Sequence, residues 1–550
     1  MTISISSRPS PDELTSDPPA SEVTSGRLLR NTLANGTASA WSALVTVALT
    51  PFLLDRFGAE QYGLWVLALG LTFSSGYFAL ADFGLTEAAV KFIAEARANG
   101  SAAAINAIAS TTLAVFSVVG LIVGGAMWAL APRLVTWFGV SGHLAGTARA
   151  LFALMALEVL LELPTTALRA VIEGIQRYVW LRAIDVLGRS LWAVLVVVAV
   201  LRGHGVVALG VITLIAAAVR SVATIVVAYR VTPGLHLRPR FVTRAVLRAT
   251  LGFGSLVGGL RVLTVIYAQM DRVIIAIAIS VTAVAGYEVV FRIQSLTTLA
   301  LVMASSAVVP AAAYNATRGD HQRQRELFLR GTKYAMAISL PVCIAALLYA
   351  RLLIVSWVGA KYATETAAAR IFLLFPIFAS VNQVGVAMLI GLGRVRRVLL
   401  LQVIAVGVNL GLSVTLAGPL GITGVVIGTC VGGFVVWLPY LHTLLTTFGV
   451  AMHDWWSRAI RPNVPGAVVQ GGVGLLTLSW WSKIDSFWVV GMIFTASCAL
   501  NVATFVLVGM DITEREHLWS RVRGRTSVSK GQDGDGGAAS RRNNDRISAT

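Results

Sequence analysis

The stretch Phe253–Arg292, FGSLVGGLRVLTVIYAQMDRVIIAIAISVTAVAGYEVVFR, decides how the chain is read. It holds two strongly apolar spans joined by a short turn at Ser280 to Ala283, yet it carries Arg261, Asp271, Arg272, Glu288 and Arg292. Each charge at the centre of a membrane helix costs about 2.5–3.5 kcal/mol on insertion scales, so such residues are kept where they face a bundle interior or a wet cavity. The stretch predicts a polar path through a membrane protein, not a lipid anchor.

Composition agrees. Of 550 residues, 56% are hydrophobic and only 13% charged, against about 25% charged in a soluble domain. Mean hydropathy is +0.76. The net charge of +18 invites a nucleic-acid reading, but there is no basic helix interleaved with aromatics and no Cys/His finger spacing. Loading of cytoplasmic loops with Lys and Arg accounts for it. Cys343, Cys430 and Cys498 fall inside apolar spans, too scattered for a disulfide framework or zinc site. The seven histidines show no metal-ligand spacing, and no cofactor motif appears.

Spans of about 20 apolar residues cross a bilayer, and about fourteen can be marked: Leu33–Leu54, Tyr62–Leu85, Ile105–Ala131, Ala148–Leu168, Ala183–Leu201, Val206–Tyr229, Leu251–Ala276, Ala285–Ala313, Tyr334–Val358, Ala367–Leu392, Val398–Ala417, Ile422–Leu445, Val464–Trp481 and Phe487–Met510. The expected fold is an all-α polytopic membrane protein of two parallel six-helix lobes plus two C-terminal helices. Residues 1–26 read as a disordered cytoplasmic tail, 27–230 as the first lobe, 231–250 as a basic cytoplasmic connection and 251–446 as the second lobe. Residues 464–510 hold the two extra helices, and 511–550 form a second basic, disordered tail. With both termini inside, 31 of the 44 basic residues fall in inside loops or tails, 6 in outside loops and 7 within spans. That bias supports both the span count and the orientation in a cytoplasmic membrane. Every outside loop is short, which disfavours a polymerase or ligase acting on outer-face sugars.

Six spans followed by six predict a repeat about an axis along the membrane normal. Asp55-Arg56 before Tyr62-Gly63-Leu64-Trp65 is echoed by Asp271-Arg272 before Gly286-Tyr287-Glu288. Gly254/Gly258, Gly407/Gly411 and Gly428/Gly432 have the GxxxG spacing of helix-packing faces.

Several short motifs, taken in order, resemble polysaccharide flippases. Phe57-Gly58-Ala59-Glu60-Gln61-Tyr62-Gly63-Leu64-Trp65 is similar to the turn between their first two helices. Ala81-Asp82-Phe83-Gly84-Leu85 with Lys91-Phe92-Ile93-Ala94 resembles the end of their second helix. Asp271-Arg272-Val273-Ile274-Ile275, Ala285-Gly286-Tyr287 with Arg292-Ile293, and Trp357-Val358-Gly359 with Tyr362 resemble later signatures. The similarity covers Leu33 to Leu445 and points to Wzx-type exporters of the multidrug/oligosaccharidyl-lipid/polysaccharide (MOP) superfamily. It implies a V-shaped bundle that carries undecaprenyl-diphosphate-linked oligosaccharide from inner to outer leaflet by alternating access. The implied partners are the lipid bilayer, that lipid-linked glycan, and a glycan polymerase or glycosyltransferases.

The membrane-depth charges are the candidate site. Glu158, Arg220 and Arg261 are placed near mid-membrane, with Asp271, Arg272, Glu288 and Arg292 nearer the outer face and Glu162, Asp185 and Arg189 nearer the inner. Arg offers a planar bidentate fork for phosphate, so Arg261 and Arg220, with Arg272 and Arg292, are the candidates for receiving a lipid diphosphate. The plainer reading is a set of structural ion pairs, such as either mid-membrane arginine with Glu158. Glu288/Arg292 and Asp185/Arg189 are each four apart and can pair along one helix. Glu158 and Glu162, also four apart, are like-charged; one of them held protonated would suit a proton- or sodium-coupling role, and Asp271 is a third candidate. Catalytic Ser/His/Asp sets, catalytic carboxylate pairs and phosphate-cradling glycine loops are absent from the sequence, which favours a transporter over an enzyme. Three rivals stand: a lipid II flippase, a drug/cation antiporter, which should show an acidic cavity, and a membrane glycosyltransferase or polymerase. A fourth is a scaffold for glycan assembly.

Overall fold

The computed structural model describes residues 25–72, 76–140, 142–306, 320–481, 484–516 and 520. They form an all-α bundle, with no strand among them. Nine of the helices are long and apolar enough to cross a membrane. That criterion does not establish the expected fourteen spans. Two of the nine are hairpins, and the expected spans on α7, α8 and α13 fall outside it.

Helix α1 (Ser25–Gly70) contains one break, where Gly58 takes φ 71°, ψ 174°. The side chains of Thr50 and Tyr62 come within interaction range across it, although twelve residues of straight helix would set them about 18 Å apart. The chain therefore doubles back at Gly58. Helix α12 (Val395–Phe448) does the same at Gly421, φ 59°. Gly424, Gly428 and Gly432 on its return arm lie against Leu416, Ser413 and Ala405 of the outgoing arm. A Cβ on Gly424 would stand 2.2 Å from the Leu416 carbonyl oxygen, so only glycine admits this approach. Gly407 and Gly411, by contrast, face open space and are not a packing face among the described residues.

The expected span Tyr62–Leu85 is not one helix. The return arm of α1 ends at Gly70, a 3₁₀ turn covers Tyr77–Asp82, and α2 (Leu85–Ala98) starts afresh. The cause is local. Phe83 and Gly84 both take positive φ, and Asp82 caps α2 by accepting from the Thr86 amide at 2.9 Å and its hydroxyl at 2.8 Å. The remaining helices of the first half are α3 (Ala102–Trp137), α4 (Ala145–Gly174), α5 (Tyr178–Leu201) and α6 (Val206–Val231). The connection to the second half is strapped to α3: Asn106 binds Gly234 and His236, and Thr111 accepts from the Thr243 amide.

The second half opens with α7 (Arg244–Ala278), capped by Thr243, and α8 (Val281–Ser306). Helix α9 (His321–Leu348) is capped by Asp320, whose carboxylate accepts from the Arg323 amide at 2.9 Å. The expected span Tyr334–Val358 is divided at Tyr349 between α9 and α10 (Ala350–Val358), before α11 (Thr366–Gly391) and the α12 hairpin. Two further helices, α13 (Val464–Trp481) and α14 (Phe487–Thr504), pack on each other and on α9. The expected tail 1–26 and residues 521–550 lie outside the described residues, apart from Ser25 and Gly26, which begin α1. The second tail does not begin at Asp511, because residues 512–516 are helical and Glu514 grips the buried Lys333 at 2.6 Å.

The first hairpins of the two halves turn at the same end of the bundle. Gly63 lies against Val281, and Gly286 against Glu365 and Ile422. Parallel halves require this arrangement. The echo between Asp55-Arg56 and Asp271-Arg272 is not kept, since the first pair is exposed and the second buried. The halves meet where α1 packs on α8 and α2 on α7. Trp357 adds a cross-tie, its indole N–H donating to the Val47 carbonyl at 2.8 Å.

Candidate functional site

Where α1 meets α8, a cavity of about 340 Å³ opens, lined by Ser39, Ser42 and Thr46 from α1 and by Arg292, Ser295 and Leu299 from α8. The spacings of three and four put each set on one helix face. The wall is mixed: four hydroxyls and Arg292 alternate with Ala43, Val47, Leu296 and Leu299, the make-up of a site that takes a partly polar ligand. Thr46 donates its hydroxyl proton to the Ser42 carbonyl at 2.8 Å. Its oxygen is thereby free to accept from Arg189 Nη2, at 2.7 Å. Trp41 donates to Ser190 at 3.0 Å and fastens α1 to α5 beside this point.

Behind Arg292 lies a buried triad. Glu288, fully buried, sits 2.9 Å from Arg272 Nε and 2.5 Å from Arg292 Nη2. Arg272 also donates to Gln269 Oε1 at 2.7 Å and the Ala268 carbonyl at 3.1 Å, and its guanidinium lies 4.2 Å from the Phe291 ring centre. Its fork is thus largely spent on the protein. Arg220 pairs with Glu162, its stem lying across Gly188, where a Cβ would stand 2.6 Å from its Cγ. Gly188 is the neighbour of Arg189 in α5, and Arg292 shares the cavity wall with Thr46, the hydrogen-bond partner of Arg189. Three of the four expected arginines therefore gather around one place, joined by Arg189.

Arg261 is elsewhere. Half-way along α7, it reaches α2, 2.7 Å from Glu87 and 3.6 Å from Asp82, and it is not part of the cavity wall. The plain ion-pair reading had Glu158 as the partner of the mid-membrane arginines. Instead Arg220, on α6, pairs with Glu162, one turn along α4 from Glu158, which is fully buried. Asp185 does not hold Arg189 either. Arg169 and Arg182 hold it at 3.0 and 2.9 Å, leaving Arg189 to turn toward α1. Arg189 is the residue the sequence reading missed, since an i,i+4 acid masked it. Arg182, three residues before Asp185, was the available signal that the acid had another suitor.

A second polar cluster lies between α7, α8 and α12. Asp271 Oδ2 accepts from Tyr287 at 2.8 Å and from Thr429 at 2.8 Å. Thr429 Oγ is also 3.3 Å from Asn409 Oδ1, which accepts from Ser413 at 2.8 Å. Tyr267 donates to the Thr429 carbonyl at 2.7 Å. Asp271 Oδ1 is buried with no hydrogen-bond partner. The four hydroxyl protons are committed while Asp271 Oδ1 stays unpartnered, and a proton on that oxygen is the plainest way to complete the cluster.

A family described as polysaccharide biosynthesis protein matches residues 59–367, more than half of the chain. The chain belongs to that family. Among curated proteins no sequence matches. Solved structures similar to this family member include a lipid II flippase, MurJ, in an inward closed conformation (12% identity, TM-score 0.65, covering 89% of this chain and 99% of that one). They also include a multidrug resistance MATE family transporter of the MOP superfamily. Its inward-facing form is 20% identical with TM-score 0.61, covering 74% of this chain and 98% of that one. Its outward-facing form is 19% identical with TM-score 0.58, covering 77% and 95%. At these identities the likeness is one of fold, a multi-pass membrane bundle of the transporter kind.

Proposed function

We propose that this protein, a transporter and not an enzyme, carries a polyprenyl-diphosphate-linked oligosaccharide from the inner to the outer leaflet of the cytoplasmic membrane, for cell-surface polysaccharide synthesis. The observation that carries the reading is the cavity between α1 and α8, at the seam of the two halves, whose mixed wall sets four hydroxyls and Arg292 among aliphatic side chains. In this reading Arg292 holds the diphosphate at the cavity wall, Arg220, paired with Glu162, adds to the basic field behind it, Arg272 braces Arg292 through Glu288, and the serines and threonine of α1 meet sugar hydroxyls. The basic end of the bundle is cytoplasmic, and the halves 27–230 and 251–446 rock about the α1–α8 and α2–α7 contacts. Arg261 acts as an ion-pair latch between the halves. Asp271 is the coupling group, taking a proton or sodium ion, with Glu158 and Glu162 as structural acids.

A lipid II flippase would use the same headgroup chemistry, and the test must separate the two by glycan. A drug/cation antiporter is disfavoured because the cavity-wall charge is Arg292, which repels cationic cargo. The experiment is leaflet translocation in proteoliposomes. A fluorescent undecaprenyl-diphosphate oligosaccharide is compared with lipid II and with a cationic dye, for wild type and Arg292→Ala. Diphosphate-lipid flipping, lost in the variant, supports the reading; dye efflux without lipid flipping sinks it. Asp271→Asn should abolish dependence of flipping on an imposed ion gradient while leaving substrate binding intact.

A further inference from the structure

The arginines around the cavity differ in one respect that the fold makes visible. Arg220 is matched by Glu162. Arg272 and Arg292 share one carboxylate, Glu288. Among the described residues, no carboxylate pairs with Arg189: Asp185, its neighbour on α5, is taken by Arg169 and Arg182. Its contacts are one threonine hydroxyl and the face of Trp192, 4.4 Å from its guanidinium, and its Nε is buried without a hydrogen-bond partner. A guanidinium carries five donors, so most of this fork is unspent. A desolvated cation beside two others is costly to keep unless an anion from outside the chain completes it.

Counting the four arginines and the two carboxylates they touch leaves two uncancelled positive charges. One belongs to the triad and is presented by Arg292; the other is Arg189. Arg292 and Thr46 line the cavity, and Arg189 stands just behind that wall, in contact with Thr46. A diphosphate diester carries two negative charges, and a single phosphodiester carries one. We propose that Arg189 is the selectivity residue of the cavity: with Arg292 it matches a dianionic diphosphate diester, and it disfavours the monoanionic phosphodiester of a bilayer phospholipid or of a monophosphate-linked sugar. The proposal rests on the flippase reading for its ligand, but its own claim concerns binding. Thr46 is the positioning residue that aims the fork.

The test is competition binding with protein in phosphatidylcholine nanodiscs. A fluorescent polyprenyl-diphosphate oligosaccharide is displaced by its unlabelled form, by the monophosphate-linked analogue of the same glycan, and by phosphatidylglycerol. Wild type should prefer the diphosphate. Arg189→Gln should weaken diphosphate binding about 10-fold or more while leaving the monophosphate nearly unchanged, the size expected for one lost charge-assisted contact. Arg189→Lys should keep most of the preference, and Thr46→Val should lose part of it. A preference unchanged in Arg189→Gln overturns the proposal, as does wild-type binding of phosphatidylglycerol equal to that of the diphosphate. If Arg189→Gln does not fold, the other two variants decide: preference kept in Thr46→Val and lost in Arg189→Lys would overturn it. Flipping in proteoliposomes separates the two readings. Arg189-dependent selectivity without flipping removes the transport function and leaves the anion seat, whereas flipping with Arg189-independent selectivity does the reverse.

Discussion

A single methyl group at Gly63 should shift the conformational balance of this protein. Gly63, on the return arm of α1, lies against the start of α8, and a Cβ there would stand 2.1 Å from the Val281 carbonyl oxygen and 3.1 Å from its carbon. Ordinary contact begins near 3.4 Å, so the two helices must separate by about 1 Å. Backbone stands on both sides of the clash, so no rotamer relieves it. Overpacking of this kind costs about 1–3 kcal/mol. Because the contact joins the two halves, the cost falls on the state in which they touch here. A two-state equilibrium would move roughly 5- to 150-fold toward separation. Val284, fully buried one turn along α8, reports this. With Cys343, Cys430 and Cys498 replaced, Val284→Cys should react slowly with a membrane-impermeant maleimide, and adding Gly63→Ala should speed labelling at least 5-fold. Gly424→Ala is the control: its clash with Leu416, at 2.2 Å, lies within one hairpin and should lower stability without changing labelling. Equal labelling with and without Gly63→Ala would refute the idea that α1 and α8 part at this point.

Other outcomes follow from the ion pairs. Glu288→Gln strips the counter-charge from two arginines, one of them buried, and should cost about 3–5 kcal/mol, read as a lower unfolding midpoint in detergent; Glu288→Asp should recover part of it. Arg261→Ala releases α2 from α7 and should change the rate of flipping without altering the preference for diphosphate over monophosphate lipid. At the basic end, hydrogen bonds from Arg458 at 2.7 Å and Arg330 at 3.1 Å hold the Glu326 carboxyl below its ordinary value of 4.5. Its stabilising contribution is complete above about pH 4.5 and is lost as pH falls through the lower folded value. The melting temperature of wild type should therefore drop on acidification, and Glu326→Gln should show a smaller drop.

Much of this fold was legible because lipid imposes a simple rule: twenty apolar residues, then a basic or polar turn. The helices from α3 to α6 lie within a few residues of their apolar spans. The break between Gly70 and Leu85 was not legible from hydropathy, since the glycines and the Asp82 cap that make it sit inside a run that stays apolar. The site was half legible. Charges at membrane depth announced themselves, but which acid meets which arginine depends on how helices distant in sequence rotate. Glu288 and Arg292 pair on one helix as their spacing allows; Asp185 and Arg189, with the same spacing, do not, because Arg169 on α4 competes for the acid. Arg261 looked central by depth alone and proved to face α2.

The break between α1 and α2 divides labour between two contacts. The return arm of α1 carries Gly63 against Val281; beyond the break, Phe83 abuts Gly258, and Glu87 binds Arg261. Had residues 59–98 formed one rigid rod, any tilt that opened one contact would have been levered directly onto the other. With a capped joint at Asp82, each half of the segment can follow its own partner helix. A carrier must never leave both sides open at once, and such a joint lets one closure hold while the other yields.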